Sequence, residues 1–271
     1  MARTSRRIIR SLQKAIDILE LFDDLTPELG ITEMSGALEL HKSTVAGLVY
    51  TLEGNHYLEQ APETRKYRLG FKLVERASTL LSQIEVRPLA LPHLQELRDW
   101  CDESVNLALR EGGHVVYIER LLSSQTLGMR AKVGYQAPLH CTALGKAILS
   151  RLPPAEVSQY VARHGLPAVT DRTITDSGRF VEELQRTRER GFALDDEENE
   201  IGVRCVAAAV LDHTGQPTAA ISVSAPGHRF PLSEVPRYGE QVKETALAIS
   251  RELGYGWLER SRDQHNGRIH L

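Results

Sequence analysis

Two segments of the chain carry polar groups whose spacing suits the binding of a small anion. A turn-forming segment leads into an apolar helical segment and leaves the backbone amides of Ala143, Leu144 and Gly145 free at a helix N-terminus. Such amides, aligned with the helix dipole, attract anions. Ser222 and Ser224 stand two residues apart in a predicted strand and therefore share one face. The helix N-terminus therefore predicts an anion site, and the two serines are a pair of hydroxyls on one strand face.

A third segment suits contact with double-stranded DNA. From about His41, apolar residues recur at the three- and four-residue spacing of a helix. The inward residues are Val45, Leu48, Val49 and Leu52, and the outer arc holds Ser43, Thr44, Gly47 and Thr51. Hydroxyls and methyl groups on the outer arc can contact base edges in the major groove. The sequence therefore predicts a recognition helix.

Basic residues lie on either side of that helix. The first 14 residues contain no acidic residue, and their basic residues are Arg3, Arg6, Arg7, Arg10 and Lys14. Such an arm suits a polyanion, and we expect Arg6 and Arg7 to enter a minor groove. We expect phosphate contacts from Lys42, at the start of the helix, and from Arg65 and Lys66, at the tip of a following hairpin.

The three cysteines leave two other functions open. Their odd number and wide separation argue against a disulfide framework. Cys141 or Cys205, with His140 and Asp195, could form a thiol hydrolase, although no local signature supports one. The same four residues are zinc-ligand types and could form a metal sensor, although their spacing matches no compact site.

The same residues also have purely structural interpretations. The acidic run that starts at Asp195 could be a solvated turn. Cys205, within an apolar strand, could be a small buried hydrophobic residue. His140 and Cys141 could serve packing alone. Each interpretation is open to a test of burial and hydrogen bonding.

The elements that position these residues fall into two groups. The first group predicts a winged helix-turn-helix. It has three helices: one over Ser11–Phe22, a second that follows an N-cap at Thr32, and a third that begins near His41–Ser43. Two strands follow, Tyr57–Gln60 and Tyr67–Leu69. A helix over Phe71–Ile84 follows, and Pro88 and Pro92 mark a boundary. The expected domains are residues 1–70 for DNA binding, 71–90 for a linker helix, 91–254 for effector binding and 255–271 for a disordered tail.

The second group predicts an α+β domain. Its expected strands are Val105–Leu109, Val115–Leu121, Leu127–Lys132, Phe192–Asp195, Arg204–Asp212 and Thr218–Ala225. Its expected helices are Thr142–Arg151, Pro154–His164, Gly178–Arg190 and Ser233–Leu253. The turn Asp212–Gly215 between two apolar runs signals a hairpin, so the sheet is at least partly antiparallel.

Composition excludes several classes of protein. The 271 residues are 41% hydrophobic and 25% charged, with a formal net charge of −3, as in a soluble globular protein. Apolar runs such as Val206–Leu211 are far shorter than the roughly 20 residues of a membrane span, and no secretory signal precedes them. HExxH, GxxxxGK[ST] and GxGxxG are absent, and we predict no cofactor, no metal and no enzymatic activity. The expected location is the cytoplasm.

The N-terminal motifs resemble those of IclR-type bacterial transcriptional regulators. The matching runs are Ser11-Leu-Gln-Lys-Ala-Ile-Asp-Ile-Leu, Leu40-His-Lys-Ser-Thr-Val, Thr51-Leu-Glu and Tyr67-Arg-Leu-Gly. Ala46 and Gly47 depart from the family, which usually has His or Tyr followed by Arg there. Gly47 also costs the helix about 1 kcal/mol relative to Ala.

The C-terminal half is similar to the same family in ordered blocks. The matching segments are Gly134-Tyr-Gln-Ala-Pro-Leu-His-Cys-Thr-Ala-Leu-Gly-Lys-Ala, Gly191-Phe-Ala-Leu-Asp-Asp-Glu-Glu-Asn-Glu, Gly202-Val-Arg-Cys-Val-Ala-Ala and Ala220-Ile-Ser-Val-Ser. The resemblance implies a GAF-like effector domain. It places Asp195, Cys205, Ser222 and Ser224 around an effector at the helix N-terminus, where Met129, Leu139 and Leu144 would shape the pocket.

The resemblance implies a ligand-responsive repressor or activator of a catabolic pathway. Its partners would be double-stranded operator DNA, a small organic carboxylate (an aromatic acid, a sugar acid or a keto acid) and further copies of itself, as a homodimer or a dimer of dimers. Effector binding and operator binding would be linked, since each favours one arrangement of the DNA-binding heads.

Overall fold

The computed structural model describes residues 8–124 and 132–256. The chain divides into two compact units between Gln83 and Ile84. Residue 91, the expected start of the effector domain, lies seven residues after the start of the second unit at Ile84. Arg6, Arg7 and Met129 lie outside the described residues, as does the expected tail from residue 257 onward.

The N-terminal unit is the predicted winged helix-turn-helix. Its helices are α1 (Arg10–Leu19), α2 (Ile31–Ala37), α3 (Lys42–Gly54) and α4 (Lys72–Ser82), and its wing strands are β1 (Leu58–Gln60) and β2 (Tyr67–Leu69). Its core residues are Ile18, Phe22, Met34, Val45, Val49, Leu58 and Tyr67. β1 and β2 pair antiparallel, and Tyr67 also bridges to Leu29 ahead of α2.

The start of α2 differs from the prediction. Gly30, and not Thr32, is the N-cap residue. Glycine has no side chain to cap the helix, and instead the Gly30 N–H donates to Glu33 Oε2 at 2.6 Å. A carboxylate three residues into the helix thus satisfies the N-cap backbone, which is half of a capping box.

The C-terminal unit is a six-stranded antiparallel sheet between helices, which confirms the α+β class. Its helices are α5 (Val86–Cys101), α6 (Ala143–Arg151), α7 (Pro154–His164), α8 (Ser177–Arg190) and α9 (Val235–Glu252), with a 3₁₀ turn at Leu232–Glu234. Its strands are β3 (Ser104–Glu111), β4 (His114–Leu121), β5 (Gln136–Pro138), β6 (Ala193–Asp196), β7 (Val203–Leu211) and β8 (Pro217–Pro226). The strand order is β5-β4-β3-β8-β7-β6.

Side-chain alternation gives the sheet two buried faces. Ala207 and Ala220 pack with α6 and α8 in one core. Alternate residues such as Val206 and Val223 are fully buried on the opposite face, where α5 and α9 pack. Small alanine side chains on the first face leave room for α6 to approach the strands closely.

The prolines predicted to mark the boundary lie inside α5. Pro88 is in the first turn, where the missing N–H has no intrahelical acceptor. Pro92 removes one internal hydrogen bond. Burial of Ala90, Leu94 and Leu97 against the unit offsets that loss. The prolines therefore do not separate two domains.

Two strand predictions have different outcomes. The expected strand Leu127–Lys132 falls largely outside the described residues, and β5 at Gln136–Pro138 was not predicted. β5 is a three-residue edge strand, where proline is tolerated because one side of the strand has no ladder partner. The predicted β7–β8 hairpin is confirmed: Asp212 Oδ1 accepts from Thr214 N at 2.8 Å, and Gly215 adopts a φ of +81°.

Candidate functional site

A cavity of about 370 Å³ lies between the N-terminus of α6 and the sheet. This volume is within the range of about 300–1,000 Å³ that is typical of small-molecule sites. The lining residues are Asn106, Tyr117, Tyr135, Thr142, Ala143, Leu144, Asp195, Asn199, Glu200, Ile201, Val203, Cys205, Ser222 and Ser224. Six residues predicted for effector binding are among them: Ala143, Leu144, Asp195, Cys205, Ser222 and Ser224.

The N-terminus of α6 is held tightly against the preceding segment. Thr142 caps the helix: its Oγ1 accepts from Gly145 N at 3.1 Å and donates to the Pro138 carbonyl at 2.9 Å. The prediction of a free Gly145 amide is therefore wrong, because this amide donates to the Thr142 cap, while Ala143 and Leu144 line the cavity. A Cβ on Gly145 would lie 2.1 Å from the Leu139 carbonyl oxygen, so this close approach requires glycine.

Cross-strand register brings the polar side chains of the sheet together. Asp195 pairs with Cys205 and Cys205 with Ser224, while Ser222 pairs with Asn106. Residues in such rows share one face of the sheet, which here is the face toward α6. Residues far apart in sequence therefore meet at a single wall of the cavity.

Asn106, which the sequence analysis missed, orients the two serines. Its Nδ2 donates to Ser222 Oγ at 3.1 Å and to Ser224 Oγ at 3.2 Å. Because both hydroxyl oxygens accept from Asn106, their O–H groups remain able to donate to an oxygen in the cavity. Asn106 Oδ1 is buried and has no hydrogen-bond partner within the described residues.

Asp195 is a buried carboxyl rather than part of a solvated turn. Asp195 is only 3% exposed. Its Oδ1 accepts one hydrogen bond from Glu198 N at 2.8 Å and another from Asn199 N at 3.3 Å. Burial raises the pKa of Asp195 to about 7, against the Lys146 ammonium, which lowers it. Asp195 can therefore exchange a proton near neutral pH.

A buried ion pair, also missed from sequence, lies behind the cavity. Lys146 on α6 is fully buried, and its Nζ contacts Glu198 Oε1. Thr173 Oγ1 donates to the Glu198 carbonyl at 2.7 Å, and burial raises the pKa of Glu198. The pair ties α6 to the loop after Asp195. A lysine within residues 143–149, whose other members are nonpolar, was the available signal for a buried charge, but its partner lies 52 positions away.

The cysteine neighbourhoods do not support a nucleophile. Burial raises the pKa of Cys141 to about 12 and that of Cys205 still higher, whereas a nucleophilic cysteine needs a lowered pKa. His140 is 1% exposed, and its Nε2 bonds the Pro167 carbonyl at 2.9 Å, in line with a packing role. Across residues 8–124 and 132–256, no three His, Cys, Asp or Glu side chains are placed to hold a metal ion.

α3 presents the two faces that its sequence predicts. Val45 and Val49 are fully buried, and the exposed residues include Lys42, Ser43, Thr44, Gly47 and Thr51. Thr51 Oγ1 donates to the Gly47 carbonyl at 2.8 Å, so its hydroxyl hydrogen is used within the helix. The outer arc is free of bulky side chains around Gly47, where a Cβ would meet nothing within 4 Å.

The two basic residues of the wing have different surroundings. Arg65 is exposed, in a turn where its φ is +60°. Lys66 Nζ instead pairs with Glu33 Oε1 of α2 at 2.7 Å. A phosphate contact by Lys66 therefore has to replace this exposed ion pair. In the part of the chain that the structure covers, no helix is long and apolar enough to cross a bilayer.

Comparisons with known proteins agree across both units. The model for the IclR helix-turn-helix domain matches residues 11–62, and that for "Bacterial transcriptional regulator IclR C-terminal" matches residues 78–251. The Escherichia coli regulator XynR is 38% identical over 248 residues, which cover 92% of this chain and 98% of XynR.

Solved structures show the same fold. The Thermotoga maritima IclR superposes with a TM-score of 0.79 at 32% identity and covers 91% of this chain and 99% of its own. An IclR homologue from Microbacterium hydrocarbonoxydans, crystallised with 4-hydroxybenzoate, has a TM-score of 0.78 at 24% identity, with coverage of 90% and 98%.

Proposed function

Because this chain belongs to the IclR family of bacterial transcriptional regulators, we propose that a small organic acid in the α6 cavity controls its affinity for operator DNA. The observation that carries this proposal is the cavity wall formed by Asn106, Ser222 and Ser224. Two oriented hydroxyls beside the first amides of α6 suit the oxygens of an acid that also bears a hydroxyl or carbonyl group.

In this proposal the N-terminal unit contacts DNA through α3 and the wing. Ser43, Thr44, Gly47 and Thr51 approach base edges in the major groove. The phosphate contacts come from Lys42, Arg65 and Lys66, and Arg6 and Arg7 of the arm enter a minor groove. The small outer arc makes methyl and hydroxyl contacts more important here than a long basic side chain.

The coupling is thermodynamic linkage. If the acid binds more tightly to the conformation that fits the operator, it raises operator affinity, and in the opposite case it lowers operator affinity. In either case the operator changes the affinity for the acid by the same factor. Two or four copies of the chain, as a homodimer or a dimer of dimers, would match a palindromic operator in the cytoplasm.

The test measures operator affinity and acid binding on the same protein. A duplex selected from a random pool supplies the operator, and 4-hydroxybenzoate, D-gluconate and pyruvate represent the aromatic, sugar and keto acids. We expect one class to bind and to change operator affinity.

The matched variants are Ser222→Ala and Ser224→Ala, with Ser158→Ala of α7 as control, since the Ser158 hydroxyl bonds only within its helix. Loss of one buried hydrogen bond typically costs about 1–3 kcal/mol, so each cavity variant should bind the acid several-fold to about a hundred-fold more weakly. Equal binding by all three variants would place the effector outside this cavity.

A further inference from the structure

Arg120 on β4 has a buried guanidinium edge without a partner. Its Nε and Nη2 are buried and make no hydrogen bond to the residues that the structure describes. Arg204 of the same unit, by contrast, is paired: its Nε donates to Asp196 Oδ1 at 2.8 Å. Because a guanidinium stays charged and strongly prefers hydrogen-bonded surroundings, an unpaired buried edge is costly. Such a group in a folded protein suits an anionic ligand.

The unpaired edge has the geometry for a carboxylate. Arg229 uses the same two atoms on Glu103: Nε donates to Oε1 at 2.8 Å, and Nη2 donates to Oε2 at 2.6 Å. Parallel bonds of this kind are the strong bidentate mode of arginine. The same two atoms of Arg120 can bind the two oxygens of one carboxylate once the side chain turns into the cavity, because in this structure both atoms are buried and Arg120 is not itself a lining residue.

A β-bulge turns Arg120 toward the cavity face. Arg120 pairs with Asn106 across β3 and β4, and Asn106 lines the cavity. Simple alternation would place Tyr117 and Arg120, three residues apart, on opposite faces. The register shifts between Leu107, which pairs with Glu119, and Ala108, which pairs with Tyr117. The shift leaves one residue of β4 between Tyr117 and Glu119 without a partner on β3. Because of this extra residue, Tyr117 and Arg120 lie on the same face of the sheet, the face toward the cavity.

The charges around Arg120 leave its positive charge unneutralised. Burial lowers the pKa of Arg120, and Tyr117, Cys205 and Glu200 oppose that change. Burial raises the pKa of Tyr117 and of Cys205, so both are neutral at physiological pH. Glu200 is exposed, so water screens its charge. All three residues line the cavity, which locates the positive field of Arg120 there.

We propose that Arg120 is the specificity-determining residue of the cavity and binds the carboxylate of the effector through Nε and Nη2. This inference rests on the proposed function, in which the cavity takes a small organic acid. A full positive charge is a stronger partner for a carboxylate than two backbone amides. The α6 N-terminus and the two serines then hold the other oxygens of the same molecule, so a neutral amide or alcohol of equal shape is rejected.

The test compares acids with their neutral amides on three variants. The ligand pairs are 4-hydroxybenzoate and 4-hydroxybenzamide, D-gluconate and D-gluconamide, and pyruvate and pyruvamide, and sulfate is a simple anion for comparison. The variants are Arg120→Met, Arg120→Lys and, as control, Arg110→Met on the same sheet, whose guanidinium lies 3.6 Å from Glu156. Binding is measured by calorimetry and by thermal unfolding at constant ionic strength.

For the wild type and Arg110→Met, we expect an acid to bind about 10- to 100-fold more tightly than its amide. Arg120→Met should lose this preference. Arg120→Lys should keep part of it, since lysine retains the positive charge but cannot form two parallel hydrogen bonds to one carboxylate. Without ligand, Arg120→Met should be at least as stable as the wild type, because methionine fills the space without unpaired donors. A purely structural role for Arg120 predicts destabilisation instead.

Two outcomes would overturn the assignment to Arg120. One is an equal acid-over-amide preference in the wild type and Arg120→Met. The other is that neither sulfate nor any acid stabilises the wild type more than it stabilises Arg120→Met. The proposed function has a separate readout, operator affinity. An acid that shifts operator affinity equally in both proteins would keep the regulatory role and remove Arg120 from it.

Discussion

Asp195 combines burial with a position at the wall of the cavity, which makes protonation part of ligand binding. Its Oδ1 already accepts two backbone N–H groups, yet desolvation raises the pKa of the carboxyl to about 7. A negative Asp195 repels an anionic ligand, while a neutral one can donate a hydrogen bond to it. The cavity therefore favours an acid most when Asp195 holds a proton.

We expect a carboxylate ligand to bind more tightly as pH falls from about 8 to about 6, by at most about tenfold per unit above the pKa. Asp195→Asn should remove most of this pH dependence, and Asp171→Asn, at an exposed site, should leave it unchanged. Calorimetry at several pH values measures both. A pH dependence that survives in Asp195→Asn would assign the proton to another group.

The raised pKa of Asp195 also predicts how the stability of the folded protein depends on pH. The folded pKa of about 7 lies above the unfolded value of about 3.9, so the folded state binds the extra proton between these values. The stabilisation from protonated Asp195 is complete below about pH 4 and is lost as pH rises through about 7. Thermal melts should therefore show that Asp195→Asn gains stability relative to wild type at pH 8 but not at pH 4.

Helices α3 and α6 each contain a glycine, and the space around the two glycines differs. Gly47 of α3 has open space where a Cβ would lie, whereas a Cβ on Gly145 of α6 would lie 2.1 Å from the Leu139 carbonyl oxygen. Gly47 therefore lowers helix stability without a packing reason, and it keeps the outer arc of α3 small. Gly145 allows the close approach that forms the cavity.

We expect Gly47→Ala to stabilise the N-terminal unit by about 1 kcal/mol and Gly145→Ala to destabilise the C-terminal unit by about 1–3 kcal/mol. Residues 1–83 contain no tryptophan and Trp100 lies in α5, so tryptophan fluorescence in denaturant reports the C-terminal unit. Circular dichroism reports both units. A stabilising Gly145→Ala would contradict the packing of α6 described above.

The contribution of the wing to DNA binding can also be tested. Because Lys66 pairs with Glu33, Arg65→Ala should weaken DNA binding on every sequence more than Lys66→Ala does. Glu33→Gln, which frees Lys66, should strengthen binding a few-fold at low salt. Anisotropy titrations over a range of salt concentrations should show a shallower salt slope for Arg65→Ala.

Thr44→Ala on the outer arc of α3 is the control for sequence reading. It should alter the base preference found by selection from random duplexes, because a hydroxyl near base edges discriminates between them. If Thr44→Ala left the selected motif unchanged while the wing variants changed it, the recognition helix would be assigned wrongly.

Over the whole molecule, the division at Gln83 and Ile84 predicts an independent C-terminal fragment. Residues 84–256 should unfold cooperatively and bind the effector without DNA. A fragment starting at Pro92 should be less stable, because it cuts α5 and removes Val86 and Ala90, both buried. Thermal melts of the two fragments give the comparison. A molten 84–256 fragment would contradict the boundary.

Local pattern was sufficient for most elements and for part of the cavity. Apolar spacing predicted α3 and α7, and the two-residue period placed Ser222 and Ser224 on one face. Asn106, Tyr117 and Arg120 were not predicted, because their meeting depends on strand register and on a bulge in β4. The Lys146–Glu198 pair joins residues 52 positions apart, beyond any local pattern.

Asn106 has a consequence for how such a cavity can change its ligand. Its amide group sets the hydrogen-bond polarity of the wall: Nδ2 occupies the serine lone pairs, so the hydroxyls face the ligand as donors. A carboxylate in its place would accept from both hydroxyls and leave their lone pairs toward the cavity. Asn106→Asp should therefore turn a donor wall into an acceptor wall, and weaker binding of the acid would show it. A single amide thus decides whether the two hydroxyls donate to a ligand or accept from it.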